Sequence, residues 1–321
     1  GLVFLCDNPG ARNCFVLANR IMLMQMVHSG DAFGGTMRDA NGFDITVPDY
    51  MEAQWKKFRW RPFQLAFQLL AIESIGNDNS DDREVADLIW FPTGGGKTEA
   101  YLAVSAFELF HRRYQHNDAG GGTAIILRYT LRLLTTQQFQ RAATMISACE
   151  VVRKADTDQW GDEPFSLGLW VGGSTTPNYL DSDSENSLGS FQKYKMVREQ
   201  ARPENPFQLV QCPWCGSRIV PELQSQEPKD YGISASASSF RFFCPSKQCA
   251  FHKLLPIQVV DEALYEEPPS FLIGTIDKFA RLAWRDQPSA FFSGGKNKRR
   301  PPSMVLQDEL HLIETLEIRS K

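Results

Sequence analysis

The chain has 321 residues, 42% hydrophobic and 22% charged, with 34 basic against 38 acidic side chains for a net charge of −4. This ordinary globular mix excludes a mainly disordered or fibrous chain. It also excludes a wholesale basic coat for nucleic acid, while leaving room for a local basic groove. The length allows about two domains, or one large domain carrying an insertion.

Residues 1–50 combine an apolar, helix-like pattern with glycine turns at Gly30, Gly34, Gly35 and Gly42, and read as an N-terminal extension. Met22, Met24 and Met26 within it are assigned to core packing ahead of a soft binding face. The most apolar stretch, 15–27, is broken by Asn19, Arg20 and Gln25. It falls short of the ~18 apolar residues a membrane span needs. The chain opens without the charged start of a signal peptide. Seven cysteines are too sparse for a disulfide-stapled secreted scaffold, so the expected location is the reducing cytoplasm, away from any membrane.

From residue 50 to 75 the pattern is helical, with Leu65, Leu69 and Ile72 on one face, and it stops at Gly76 in a polar loop. A different rhythm follows. Residues 86–91 are expected to form a strand, followed by a glycine-rich turn and a helix from Thr98 to Phe110. Residues 123–127 are a second strand, and Phe139, Ala142, Ile146 and Cys149 recur at helical spacing. Residues 167–171, 271–273 and 304–306 are further strand candidates, and 277–284 a helix candidate. Strands alternating with helices predict βαβ units and a parallel sheet, whose ligands bind at the carboxyl ends of the strands. Residues 181–190 read as an acidic, serine-rich loop, and 205–256 as an insertion of different composition.

The strongest local signal is Pro92-Thr93-Gly94-Gly95-Gly96-Lys97-Thr98, between the expected strand and helix. Three glycines let successive backbone N–H groups point at phosphate oxygens, and the helix N-terminus adds its dipole. Lys97 would meet the β/γ-phosphates and Thr98 would ligate Mg²⁺. Phe91 stands where the phosphate-loop pattern has its first glycine. The second signal, Asp308-Glu309-Leu310-His311, follows the last apolar strand. There Asp308 would hold magnesium and Glu309 would polarise an attacking water as general base.

The third signal is the cysteine quartet: Cys212 and Cys215 two residues apart, then 28 intervening residues, then Cys244 and Cys249 four apart. Cys212-Pro213-Trp214-Cys215-Gly216 reads as a zinc knuckle, in which the glycine permits the turn that brings two thiolates onto one ion. Four thiolates make a closed, structural site, with His252 as a less favoured substitute ligand. Two basic patches, Lys56, Lys57, Arg59 and Arg61 beside Trp55 and Trp60, and Lys296, Lys298, Arg299 and Arg300, read as solvated faces ahead of DNA contacts.

The order Arg61-Pro62-Phe63-Gln64, then the glycine-rich loop, then D-E-L-H resembles superfamily 2 helicases of the DExH type. The strings at 91–101, 126–138, 211–216, 274–279 and 307–313 resemble, more narrowly, the helicase subunit of the bacterial DISARM antiphage system. The resemblance covers roughly residues 60–313. It implies an α/β fold: a RecA-like P-loop NTPase parallel sheet with a zinc-ribbon-like insertion and an N-terminal helical extension. With the composition shifts, the expected division is 1–50 N-terminal extension, to which the resemblance does not reach, 51–204 first part of a RecA-like motor domain, 205–256 zinc-binding insertion and 257–321 completion of the motor domain.

It further implies that Gln64 reads adenine, and that Thr93, Gly94, Gly95, Gly96, Lys97 and Thr98 hold ATP. Thr130, Arg132, Gly172, Gly173, Thr275 and Lys278 match places where such helicases grip a nucleic-acid backbone, and hydroxyls, glycine amides and basic side chains are indeed phosphate donors. The expected cofactors are ATP, Mg²⁺ and Zn²⁺. The expected partners are DNA with a single-stranded region, a second RecA-like domain and another subunit of the defence complex. The chain ends ten residues after His311, so by itself it is expected to be the first motor domain, nearly inactive without an arginine finger. The alternatives are a DNA-repair helicase of the related cysteine-bearing family, or a zinc-dependent nucleic-acid-binding module with an inactive P-loop.

Overall fold

The computed structural model describes residues 1–29, 48–90, 95–129, 136–185, 187–280, 282–284, 286–292 and 299–308. Seven strands form among them: Ile125–Tyr129 (β1), Leu167–Trp170 (β2), Ile233–Ser236 (β3), Ser239–Phe242 (β4), Ile257–Gln258 (β5), Phe271–Thr275 (β6) and Met304–Gln307 (β7). Five of them build one sheet in the order β5-β2-β6-β1-β7, with every pairing parallel. The register sets Leu127 of β1 opposite Ile273 of β6 and Leu306 of β7.

Residues along these strands alternate between two cores, as the period of a strand requires. Ile125, Leu127, Leu169, Phe271 and Ile273 face the larger core, while Ile126, Trp170 and Leu272 face a smaller one with Leu264 and Phe291. Burial on both faces explains why these strands read as nearly continuous apolar runs. The helices are Leu2–Asp7 (α1), Pro9–Ser29 (α2), Pro62–Gly76 (α3), Lys97–His116 (α4), Thr136–Ala155 (α5), Thr157–Trp160 (α6), Ser190–Glu199 (α7), Asp261–Glu266 (α8) and Ile276–Phe279 (α9). α2 packs against both α4 and α5, and α3 packs against α4, so the larger core is mostly helical on that side. Met22 and Met24 are buried in it, as expected of core residues. The parallel sheet with its surrounding helices is an α/β fold of the RecA-like type.

Three local expectations change. The helical stretch from residue 50 divides into a 3-10 turn, Ala53–Lys57, and α3, because Pro62 holds Arg61 in an extended conformation (φ −72°, ψ 149°). Residues 86–90 do not join the sheet; among the described residues they have no partner strand, and Leu88 is 75% and Trp90 82% exposed. Apolar content alone does not make a strand where cross-strand neighbours are missing. Phe91, the last residue of that expected strand, lies outside the described residues. The expected helix at 277–284 is instead α9 followed by a separate 3-10 turn, Leu282–Trp284.

The cysteine-bearing segment adds the antiparallel ribbon β3–β4 and a single bridge between Gln211 and Arg218. Its Phe207, Phe240 and Phe242 cluster together and continue into the larger core. Among the described residues no helix is long and apolar enough to cross a membrane.

Candidate functional site

The glycine-rich turn meets α4 at Gly96, the N-cap, whose φ of +90° is in the left-handed region that favours glycine. Two side chains from the start of α3 hold this turn by its carbonyls. Arg61 Nη1 donates to Gly95 O at 2.8 Å, and Gln64 Nε2 donates to Gly96 O at 2.8 Å. A Cβ on Gly96 would stand 2.5 Å from Gln64 Nε2, so any other residue here would have to displace the Gln64 amide. Gln64 Oε1 in turn accepts the Arg61 N–H at 2.8 Å, which ties the amide to the first turn of its own helix. The resulting half-buried helix start carries Lys97 and Thr98. Thr93 and Gly94 lie outside the described residues.

Asp308 arrives from the other direction. Its N–H donates to Arg128 O at 3.1 Å, continuing the β1–β7 ladder past the end of β7. Tyr101 Oη donates to Asp308 Oδ2 at 3.5 Å and lies 2.6 Å from Tyr129 Oη, and the Thr98 side chain is near enough to act on its titration. One tyrosine therefore stands beside both Thr98 and Asp308, 210 residues apart in the chain. Burial, and then the Asp308 carboxylate, pushes the Tyr101 hydroxyl well above the usual phenol range; burial, and then Tyr101, does the same for Tyr129. Both phenols stay protonated and available as donors. Both tyrosines lie inside strings that carry the resemblance, 91–101 and 126–138, but neither is among the individual site residues expected from sequence. Tyr101 lies three residues beyond Thr98, on the same helix face, and Tyr129 closes β1 at the end where ligands bind; those were the available signals. Glu309 lies outside the described residues.

The other predicted positions also gather at the carboxyl ends of strands. Gly172 and Gly173 follow β2, and Gly172 O accepts the N–H groups of Thr175 at 2.8 Å and Thr176 at 3.2 Å. Thr275 ends β6 fully buried, and among the described residues its Oγ1 has no hydrogen-bond partner. Lys278 is buried too: its ammonium pairs with Asp261, donates to Asn178 Oδ1 at 3.1 Å and sits 5.7 Å above the Trp170 ring. Its charge is met inside the fold. Thr130 and Arg132 lie outside the described residues. Of the second basic patch, Arg299 pairs with Glu163 at 2.5 Å and Arg300 with Asp78 at 2.6 Å. Both precede β7 and so sit at the opposite end of the sheet from Asp308; Lys296 and Lys298 lie outside the described residues.

Beside Gln64 opens a cavity of about 370 Å³. Met22 and Met26 of α2 line it together with Tyr50, Trp55, Phe58 and Trp60, and Gln64 and Glu99 supply polar edges. An apolar, aromatic hollow with a few polar groups at the rim suits a planar, partly polar ligand. Glu99 is held by Arg141 at 2.8 Å.

The four cysteines converge. Cys212, Cys215, Cys244 and Cys249 are all buried, with their sulfurs within 4.8 Å of one another. Cys212 and Cys249 are 3.8 Å apart and Cys215 and Cys244 3.3 Å, close to the about 3.8 Å edge of a tetrahedron with zinc–sulfur bonds of about 2.3 Å. The spacing is far too long for disulfides. Burial pushes the Cys212 thiol well up, whereas hydrogen bonds from the other three cysteines hold Cys215 far below the usual thiol range. Four buried sulfur donors at near-tetrahedral spacing fit a soft dication, so the cluster could hold zinc. His252 lies beside it with Nδ1 3.0 Å from Cys244 O.

No family profile matches the chain. It is 39% identical, over 342 aligned positions, to the DISARM protein DrmA of Bacillus paralicheniformis, an alignment covering 96% of this chain. The same alignment covers 29% of that relative, so the chain spans less than a third of its length. The DISARM resemblance read from the motifs holds across nearly the whole chain.

Proposed function

We propose that this chain is the nucleotide-binding motor domain of an ATP-dependent DNA helicase or translocase working in phage defence. The observation that carries the reading is the Tyr101 hydroxyl, which brings Thr98 at the start of α4 and Asp308 at the end of β7 to one point. Parallel sheets of this kind bind ligands at that edge. The relative's name, a DISARM protein, supports the defence context.

In this reading the triphosphate lies against the backbone amides of residues 93–98, where the N–H groups of the first α4 turn have no partners within the helix. Lys97 meets its charge. Thr98 and Asp308 would hold Mg²⁺, which supplies charge neutralisation at the transferred phosphate. Glu309 would take the proton of the attacking water. Gln64, on the rim of the aromatic cavity, retains one amide hydrogen and one oxygen lone pair for an adenine edge after its contacts to Gly96 and Arg61. Residues 51–204 and 257–321 form the motor domain, with 205–256 inserted and 1–50 leading into it.

Gly172 and Gly173, with Thr130 and Arg132, belong to the edge that would face the DNA backbone, while Thr275 and Lys278 are buried at that edge, Lys278 on Asp261. Phosphate contacts of this type give little sequence preference and strong salt dependence. A second RecA-like domain and a further defence subunit complete the working enzyme, and this piece alone turns ATP over slowly. The test is Lys97→Ala in the full-length protein: DNA-stimulated ATP hydrolysis is expected to vanish while the fold persists. Hydrolysis at the unaltered rate would overturn the assignment.

A further inference from the structure

The cysteine cluster and the aromatic cavity are joined through one side chain of α2. His28 stacks on Trp214, which lies between Cys212 and Cys215, with ring centroids 3.7 Å apart and planes 20° from parallel. Its Nδ1 is 2.6 Å from Trp214 O, and its Nε2 is 2.7 Å from Tyr50 Oη. A carbonyl only accepts, so Nδ1 carries the hydrogen, and in the neutral ring Nε2 accepts the Tyr50 hydroxyl. Tyr50 is part of the cavity wall.

The same helix grips the far side of that wall. Trp60 Nε1 donates to Asn19 Oδ1 at 2.6 Å, nine residues before His28 and on the order of 13 Å along the helix axis. Segment 48–60 is thus pinned to α2 at two points. The upper point depends on the shape of the knuckle, because Trp214 O and the Trp214 ring are placed by the turn that Cys212 and Cys215 close. Gly216 N–H donates to Cys212 O at 2.9 Å and Cys212 N–H to Ser217 O at 2.7 Å, so this turn is short and stiff.

We propose that His28 is a positioning residue that couples metal occupancy of the four-cysteine cluster to nucleotide affinity in the cavity beside Gln64. The inference rests on the nucleotide reading above. With the metal held, Trp214 presents its ring and carbonyl to His28, His28 fixes Tyr50, and the cavity keeps its shape. Loss of the metal releases the knuckle, then Tyr50, and the cavity loosens. Coupling of this kind is reciprocal, so bound nucleotide must tighten metal binding by the same factor.

The experiment uses the full-length protein loaded with zinc. ATP binding is measured by calorimetry, and zinc affinity by titration against a chromophoric chelator, with and without ATP. ATP is expected to raise zinc affinity about threefold to tenfold, the range that one hydrogen bond can carry. Tyr50→Phe keeps the cavity wall and every cysteine. It is expected to weaken ATP by that same factor and to abolish the effect of ATP on zinc. His28→Phe retains a ring against Trp214 and should match it, and the double variant should be no weaker than His28→Phe alone. Tyr50→Phe that binds ATP as the wild type does, or that only lowers melting temperature while the ATP–zinc coupling persists, overturns the proposal and leaves the nucleotide reading standing. A wild-type protein that binds no ATP overturns both.

Discussion

Replacing Gly96 by alanine tests both the backbone and the packing of the glycine-rich turn. At φ +90° an L-residue pays a steric penalty of about 1–2 kcal/mol, since its Cβ crowds the neighbouring carbonyl. The added Cβ would also stand 2.5 Å from Gln64 Nε2, so the amide must swing away and give up its hydrogen bond to Gly96 O. A hydrogen bond of that kind contributes about 1 kcal/mol net. Gly96→Ala is therefore expected to cost about 2–3 kcal/mol in urea unfolding and to weaken ATP as Gln64 leaves the cavity rim. The two contributions separate in a double-mutant cycle. In a Gln64→Ala background the crowding is gone, and Gly96→Ala should cost only the backbone part, leaving a coupling of about 1 kcal/mol. Equal costs in both backgrounds would refute the packing argument, and a cost below about 0.5 kcal/mol would refute the backbone argument.

Three further outcomes are expected. Burial pushes Glu108 up from 4.5 to about 7, so the folded state holds this proton more tightly and stability falls as pH rises from 4.5 towards 7. Glu108→Gln should match the wild type near about pH 4.5 and exceed it by up to about 3 kcal/mol near pH 8; His111, lowered to about 4 by burial, is common to both and cancels, and parallel urea midpoints across that range would sink the idea. Tyr101→Phe removes the hydroxyl beside Thr98, Tyr129 and Asp308 and should lower the ATPase kcat of the full-length protein by roughly tenfold with little change in KM, as loss of a group that orients metal ligands does; steady-state kinetics at wild-type rate would contradict it. Elemental analysis should find one zinc per chain, and stripping it should lower the melting temperature, because metal binding at a buried four-thiolate site is folding free energy.

The sequence by itself determined whatever depends on local periodicity and short spacing. The apolar runs at 123–127, 167–171 and 271–273 became strands buried on both faces, and that at 304–306 became the end strand of the sheet, with Val305 exposed. Cys212 and Cys215, closed by Gly216, had to form a turn with two thiols on one side. Tertiary structure alone decided which distant groups share a space. It set Asp308 on Tyr101, one turn beyond Thr98, met the charge of Lys278 with Asp261, placed Arg299 and Arg300 at the far end of the sheet from Asp308, kept residues 86–90 out of the sheet, and stacked His28 on Trp214. None of these pairings has a local cause. Each follows from how the sheet order and the packing of α2 against α4 and α5 bring together segments that backbone propensity treats as independent.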